Sequence, residues 1–310
     1  MAIDQIKEIL NPVPEEVRSI RSHDPNDKLL SQCTGFEPGE YEDATHVLIG
    51  CPQDEGVARN HGRQGAKKAP GSIRKFLYKL QYNHRTANKL FDAGNVAAES
   101  LEESHLNLAR AVSQFLKDGK SVISIGGGND IAYADLRSLS TEFNSVCAIN
   151  IDAHLDMRKS EIMTSGTPYR KAIEEKLLNP EDFYEFGIRT ESNSPLYLKE
   201  AERMGVQILT LREILQNGVS VSFEKILAEI DNRPFFLGLD MDSIRCSDAP
   251  GVSAAYPAGF SAREVLDLIH LSKKRENLKI FEITEVNPDF DIDNQTVKLA
   301  ALFIYHSLFD

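Results

Sequence analysis

The groups that could do chemistry concentrate in Asn150-Ile151-Asp152-Ala153-His154-Leu155-Asp156. The run ahead of them, Ser145-Val146-Cys147-Ala148-Ile149, reads as a strand buried on both faces, as in a parallel sheet. Asp152, His154 and Asp156 then alternate, and in extended chain alternate side chains point the same way. Two carboxylates and an imidazole would converge at the end of a buried strand. Crowded anions repel unless a cation lies between them, so the triplet reads as a divalent metal site. One triplet alone could equally be a polar strand end running into a solvated turn. A second cluster weighs against that: Asp240-Met241-Asp242 follows another apolar run, Pro234-Phe235-Phe236-Leu237-Gly238-Leu239.

Strand ends must hold these groups, and the rest of the chain supplies them. A first central strand is expected over residues 46–50, leading into the long polar, glycine-rich loop from Asp54 to Gly65. A helix opens at Pro70 and runs through Leu80 with Ile73, Phe76, Leu77 and Leu80 on one face. A second helix covers residues 101–117 and stops before Gly119. The strand at 121–125 precedes Gly126-Gly127-Gly128-Asn129-Asp130, where glycines let the backbone turn tightly beside a ligand. That spacing is neither GxGxxG nor a Walker loop, which argues against a nucleotide cradle. Further strands are expected at 182–187, 206–210, 234–239 and 278–286, with helices at 196–204, 222–230, 262–271 and 294–308. Such alternation implies an α/β fold, a parallel sheet covered by helices on both faces, with ligands at the carboxyl ends of its strands. Residues 1–40 read as an N-terminal extension, with Ile6, Ile9 and Leu10 on a short helical stripe stopped by Pro12 and Pro14. Residues 41–310 read as a single domain.

Composition narrows the function classes. With 41% hydrophobic residues the 310-residue chain can build a large core. A net charge of −12 gives no bulk attraction to nucleic acid or an anionic membrane. The apolar runs are far short of a bilayer span, and the charged first thirty residues lack a signal-peptide core, so a cytoplasmic protein is expected. Cys33, Cys51, Cys147 and Cys246 are scattered and are expected to be reduced.

The strand ends together offer the carboxylates Asp152, Asp156, Asp240 and Asp242, the imidazole of His154 and the amide of Asn129. Oxygen-rich donors with a little nitrogen suit Mn²⁺ or a related ion, and there is no thiolate set for structural zinc. Four carboxylates would neutralise two divalent ions. Ions so held lower the pKa of a water between them, which points to a hydrolase working by metal-activated hydroxide without a covalent intermediate.

These motifs resemble the ureohydrolase family of arginases, agmatinases and formimidoylglutamases, over about Asp54 to Ala301. Asp152-Ala153-His154-Leu155-Asp156 matches the DAHxD motif and Asp240-Met241-Asp242 the DxD motif. Gly126-Gly127-Gly128-Asn129-Asp130 matches the glycine-rich segment, and Glu285-Val286-Asn287-Pro288 with Asp291 and Thr296 the ExNP segment. The resemblance implies a three-layer α/β/α arginase-like domain with a central, mostly parallel sheet. It also implies two Mn²⁺ ions per subunit, hydrolysis of a C–N bond in an amidino or guanidino compound, and a homo-oligomer. Carried over by residue, Asp152 and Asp240 would bridge the ions, Asp156 with Asn129 would complete the first, and His154 with Asp242 the second. Asp152, His154 and Glu285 would be catalytic, with Glu285 facing the planar amidinium. Residues 56–66, Ser165-Gly166-Thr167-Pro168 and Ala249-Pro250-Gly251-Val252-Ser253-Ala254 are most similar to the formimidoylglutamase branch. That branch converts N-formimidoyl-L-glutamate and water to L-glutamate and formamide in histidine degradation. Arg59 and Arg63 are then candidates for the substrate carboxylates, beside Asn60, Ser165 and Thr167, and His61 lies in the same loop.

The sequence departs from the family pattern at Asn129, where a histidine is usual. A neutral amide is a weaker donor, so the first ion site is expected to be the weaker. Ser165 replaces a histidine usual in arginases and agmatinases, which argues against arginine or agmatine as substrate. Three readings stand: the formimidoylglutamate hydrolase, a hydrolase of another guanidino or amidino compound, and a non-catalytic binding or regulatory relative. Metal stoichiometry separates the last from the others, and substrate profiling the first two.

Overall fold

The computed structural model describes residues 2–82 and 86–309. Apolar runs bounded by glycine and polar turns form the strands β1 (Leu10–Asn11), β2 (His46–Cys51), β3 (Leu90–Val96), β4 (Ser121–Gly126), β5 (Cys147–Ile151), β6 (Phe183–Ile188), β7 (Gln207–Thr210), β8 (Phe235–Asp240) and β9 (Leu278–Thr284). They lie side by side in the order β1-β3-β2-β4-β9-β8-β5-β6-β7. Every pairing is parallel except β1, which runs antiparallel to β3.

Side-chain alternation along each strand feeds two cores. Cys147, Ile149 and Ile151 of β5 pack in one with Ile73, Val265 and Phe303, which come from helices Ala69–Leu77, Ala262–Ser272 and Gln295–Leu308. Ala148 of the same strand packs on the other face with Phe236, Ile280 and helices Leu101–Lys117 and Ala132–Glu142. The α/β/α layering and mostly parallel sheet expected from the sequence are both present. No helix among the described residues is long and apolar enough to cross a membrane. The four cysteines are free, with Cys51 and Cys147 buried.

Several local expectations are corrected. The stripe over Ile6, Ile9 and Leu10 is not an α-helix but the 3-10 turns Ala2–Gln5 and Lys7–Ile9 running into β1. A 3-10 turn repeats every three residues, which puts Ile3, Ile6 and Ile9 together in the core. Strand β3 was hidden in the sequence because Asp92, Gly94 and Asn95 interrupt it. The buried guanidinium of Arg74 satisfies Asp92 at 2.7 Å. The helix opened by Pro70 ends at Leu77, since the Leu80 carbonyl turns to accept from the Leu30 N–H (2.8 Å). A short helix, Leu211–Asn217, was also not anticipated.

The strand order positions the site. In chain order the sheet grows outward past β2 and β4, then restarts at β5, with β9 and β8 filling the gap between β4 and β5. Ligands in open α/β sheets sit outside the carboxyl ends at such a reversal. Asn129, Asp152, Asp240 and Glu285 each follow or end one of these four central strands.

Candidate active site

The residues of the first motif do converge, though not by strand alternation. Strand β5 ends at Ile151, and Asp156 sits at φ +45°, a left-handed conformation that aims its carboxylate back at the strand end. The loop is held from outside. Asn193 Oδ1 accepts from the Leu155 N–H (2.9 Å), and Asn193 Nδ2 donates to the Ala153 carbonyl (2.8 Å). Asp240 ends β8 and accepts from the Asp242 N–H at 2.8 Å, so the DxD segment turns tightly and presents both carboxylates to the same space.

Two groups of donors result, one of Asp152, His154 and Asp242, the other of Asp152, Asp156 and Asp240, with the ligand atoms of each group within 4.8 Å of one another. Asp152 belongs to both. His154 Nδ1 lies 3.1 Å from Asp242 Oδ2 and 3.7 Å from Asp152 Oδ1. Asn129 Nδ2 donates to Asp156 Oδ2 (2.7 Å) and Asp152 Oδ2 (3.3 Å), and Asn129 Oδ1 accepts from Thr284 Oγ1 (3.1 Å). The donor set fits a pair of hard divalent ions: Asp242 Oδ1 is buried with no hydrogen-bond partner, and anions meet here in a water-poor floor.

Electrostatics make the same point. Burial first, then repulsion from neighbouring carboxylates, raises Asp152 and Asp240 well above the usual carboxylate range. Burial pushes Asp156 up to about 6, and burial with repulsion from Asp242 raises Glu285. Asp242 drives the His154 imidazole up to about 10. In metal-free protein all these groups keep protons that an unfolded chain gives up above about pH 4 for the acids and 6.5 for histidine. The stability they provide is complete below those unfolded values and is lost as pH rises through the folded ones. The thermal midpoint of metal-free protein is therefore expected to fall between about pH 5 and pH 8, and a divalent ion to raise it most at the upper end. A midpoint that is flat or rising over that window, measured by calorimetry, contradicts the assignment.

The glycine-rich turn after β4 brings Asn129 in. A Cβ on Gly127 would overlap the Gln53 carbonyl, so only glycine lets the two loops touch. Glu285 sits one residue past β9 at φ +62°, with its N–H on the Gly127 carbonyl (2.8 Å) and its Oε1 accepting from the Asn129 N–H (3.1 Å). Its carboxyl lines a cavity of about 340 Å³ whose floor includes Asp240 and Asp242. That volume suits a small substrate.

The expected substrate-binding residues divide. Asn60 and Ser165 line the cavity and are joined by a 3.2 Å hydrogen bond. His61 and Arg63 line it too, but Arg63 donates to the carbonyls of Ser253 (2.9 Å) and Val252 (2.7 Å) and stacks over Phe290. Arg59 does not line the cavity: Glu55 and Glu102 each hold its guanidinium at 2.6 Å. Thr167 is fully buried, its hydroxyl tying up the turn with the Thr164 N–H (3.0 Å) and carbonyl (2.9 Å). The sequence reading missed Arg158, an exposed cation on the cavity wall with no ion pair among the described residues. Its place two residues past the DAHxD motif was the available signal. It also missed buried Arg189, which donates to the Ala258 carbonyl (3.0 Å) and lies 3.9 Å from Asp242 Oδ1.

The sequence pattern of the arginase family matches residues 44–309. Formimidoylglutamase from Psychrobacter cryohalolentis is 33% identical over 308 residues, covering 88% of each chain. The crystal structure of Trypanosoma cruzi formiminoglutamase with Mn²⁺ superposes with a TM-score of 0.86 at 32% identity, over 92% of this chain and 98% of that one. Formimidoylglutamase from Bacillus subtilis gives a TM-score of 0.86 at 27% identity, over 94% of both chains.

Proposed function

The chain belongs to the arginase family, and on that footing we propose that it is a formimidoylglutamase. It hydrolyses the C–N bond of N-formimidoyl-L-glutamate to release L-glutamate and formamide, with two Mn²⁺ ions as cofactors. One observation supports this above the others. Two oxygen-rich clusters sharing Asp152 form the floor of a cavity whose wall presents the Glu285 carboxyl and the exposed guanidinium of Arg158.

When bound, the ions supply a water of lowered pKa as the nucleophile. Asp152 and Asp240 would bridge them, Asp156 and Asn129 would complete one site, and His154 and Asp242 the other. Asn129 Oδ1 can serve as a donor after a half-turn of the amide, which exchanges it with the Nδ2 now facing Asp152 and Asp156. Glu285 pairs with the N–C–N cation of the substrate, fixing its plane over the ligands. Arg158, with Arg63 beside the loop, receives the glutamate carboxylates. A dicationic substrate such as agmatine would meet Arg63 and Arg158 on the cavity wall.

Arg158→Ala is expected to raise KM for N-formimidoyl-L-glutamate about 10- to 100-fold while kcat changes less than about threefold, the pattern for lost uniform binding. Steady-state rates at saturating Mn²⁺ test it, and an unchanged KM removes Arg158 from the substrate site. The function itself is tested by glutamate release from N-formimidoyl-L-glutamate with Mn²⁺-loaded protein, with and without chelator. Chelator-sensitive release is expected. No release with two ions bound per chain would mean another amidino or guanidino substrate, and no release with no ion bound would mean a binding role.

A further inference from the structure

Below the metal ligands lies a row of polar groups that the reaction above does not use. Asn150 stands two residues before Asp152 on β5. Strand pairing aligns it with Glu185 of β6 on one side, and with Gly238 of β8, Glu282 of β9 and Ser124 of β4 on the other. Side chains two residues apart share a sheet face, so this row lies directly under Asp152 and Asp240. Asn150, Glu185, Glu282 and Ser124 are all fully buried. The middle of a parallel sheet normally holds apolar side chains here, and a buried polar group is costly unless partnered.

Asn150 is the member of the row that touches a metal ligand. Its Nδ2 donates to Asp152 Oδ2 at 3.1 Å and to Glu185 Oε2 at 3.0 Å. The other oxygen of Asp152 accepts from the His154 N–H at 2.7 Å. Asp152 is thus gripped at both oxygens, one by backbone and the other by this amide from below, with Asn129 Nδ2 at 3.3 Å from the loop above. A side-chain amide has two N–H donors and no charge, so it can hold two carboxyl groups at once. Leucine offers no donor, and aspartate would set a third carboxyl between the two already there. Burial raises the Glu185 carboxyl well above its usual range, and its Oε2 accepts from the amide from behind.

We infer that Asn150, backed by Glu185, is a positioning residue for Asp152: it orients the shared carboxylate so that each oxygen faces one of the two ion sites. The inference rests on the two-ion reading of the site. Partners behind a metal ligand typically contribute about 10- to 100-fold in ion affinity. Here the loss should fall on the bridge between the ions, because Asp152 belongs to both donor groups.

The test uses full-length wild type, Asn150→Leu and the near-isosteric Asn150→Asp. Mn²⁺ binding to each metal-free protein is followed by titration calorimetry, and the loaded proteins by electron paramagnetic resonance. The wild type is expected to bind two ions with a spin-coupled spectrum. Both variants are expected to bind the second ion about 10- to 100-fold more weakly and to show the six-line signal of isolated Mn²⁺. A merely structural residue would lower thermal stability without uncoupling the ions. Folded variants that bind two coupled ions with wild-type affinity overturn the inference. So does failure of both variants to fold, which would make Asn150 a residue of sheet stability. If only Asn150→Leu fails to fold, the Asn150→Asp result decides. Fewer than two ions in the wild type overturns the two-ion reading and the inference with it, and is seen before any variant is made.

Discussion

Asp152→Asn is expected to lower kcat/KM by at least about 10³-fold and to reduce bound Mn²⁺ from two ions per chain to one or none. The substitution is isosteric, and Asp152 is fully buried in both donor groups. An asparagine Oδ1 can keep the 2.7 Å bond from the His154 N–H. What it loses is the negative charge that two ions share and the second oxygen that reaches the other site. A 10³-fold loss is about 4 kcal/mol of transition-state stabilisation, within what a metal ion contributes as a Lewis acid and source of nucleophile. Metal analysis of dialysed protein and initial rates at saturating Mn²⁺ check both parts. A variant that keeps two ions and stays within tenfold of wild type would remove Asp152 from its bridging role.

The second large effect is expected at Glu285, with the opposite metal signature. Glu285→Gln should lower kcat/KM about 10²- to 10³-fold while both ions remain bound. Glu285 belongs to neither donor group, yet it lines the cavity above them. Its left-handed backbone is secured by the Gly127 carbonyl, and a glutamine oxygen can still accept from the Asn129 N–H. The fold and metal loop are therefore preserved, and the change isolates one charge. An unpaired amidinium in a desolvated site costs about 3–5 kcal/mol when its counter-charge is removed. The experiment compares metal content and rates in the same preparation. Retention of more than about a tenth of wild-type kcat/KM would mean that the substrate cation is recognised elsewhere.

Much of the ligand floor was legible because its cause is local. Acidic residues just past buried apolar runs have nowhere to point but the carboxyl edge of the sheet. The alternation of strands with helices made that edge common to Asn129, Asp152, Asp240 and Glu285. The route by which His154 and Asp156 arrive was not legible. Extended alternation would have aimed them together, but the chain leaves the strand at Ile151 and reaches the same point through a left-handed Asp156. Strand β3 escaped notice for a related reason. Asp92 is tolerable in a buried strand only because Arg74, eighteen residues earlier in the chain, folds against it.

The sequence by itself determined the fold layers, the acidic floor and the class of ion that suits it, since each follows from residue type and spacing within a short stretch. Only the tertiary structure decided how each cation near the cavity is engaged. A guanidinium at the end of a long flexible stem goes to the nearest carboxylate, and that neighbour can lie anywhere in the chain. Arg59 is taken by Glu102, forty-three residues away, and Arg63 is pinned by carbonyls from 252 and 253, while Arg158 stands on the wall without an ion pair among the described residues. The same holds for Asn150 and Glu185, thirty-five residues apart, which the pairing of β5 with β6 sets side by side beneath Asp152. Strand register and long side chains bring together residues far apart in sequence, and no local pattern encodes which ones will meet.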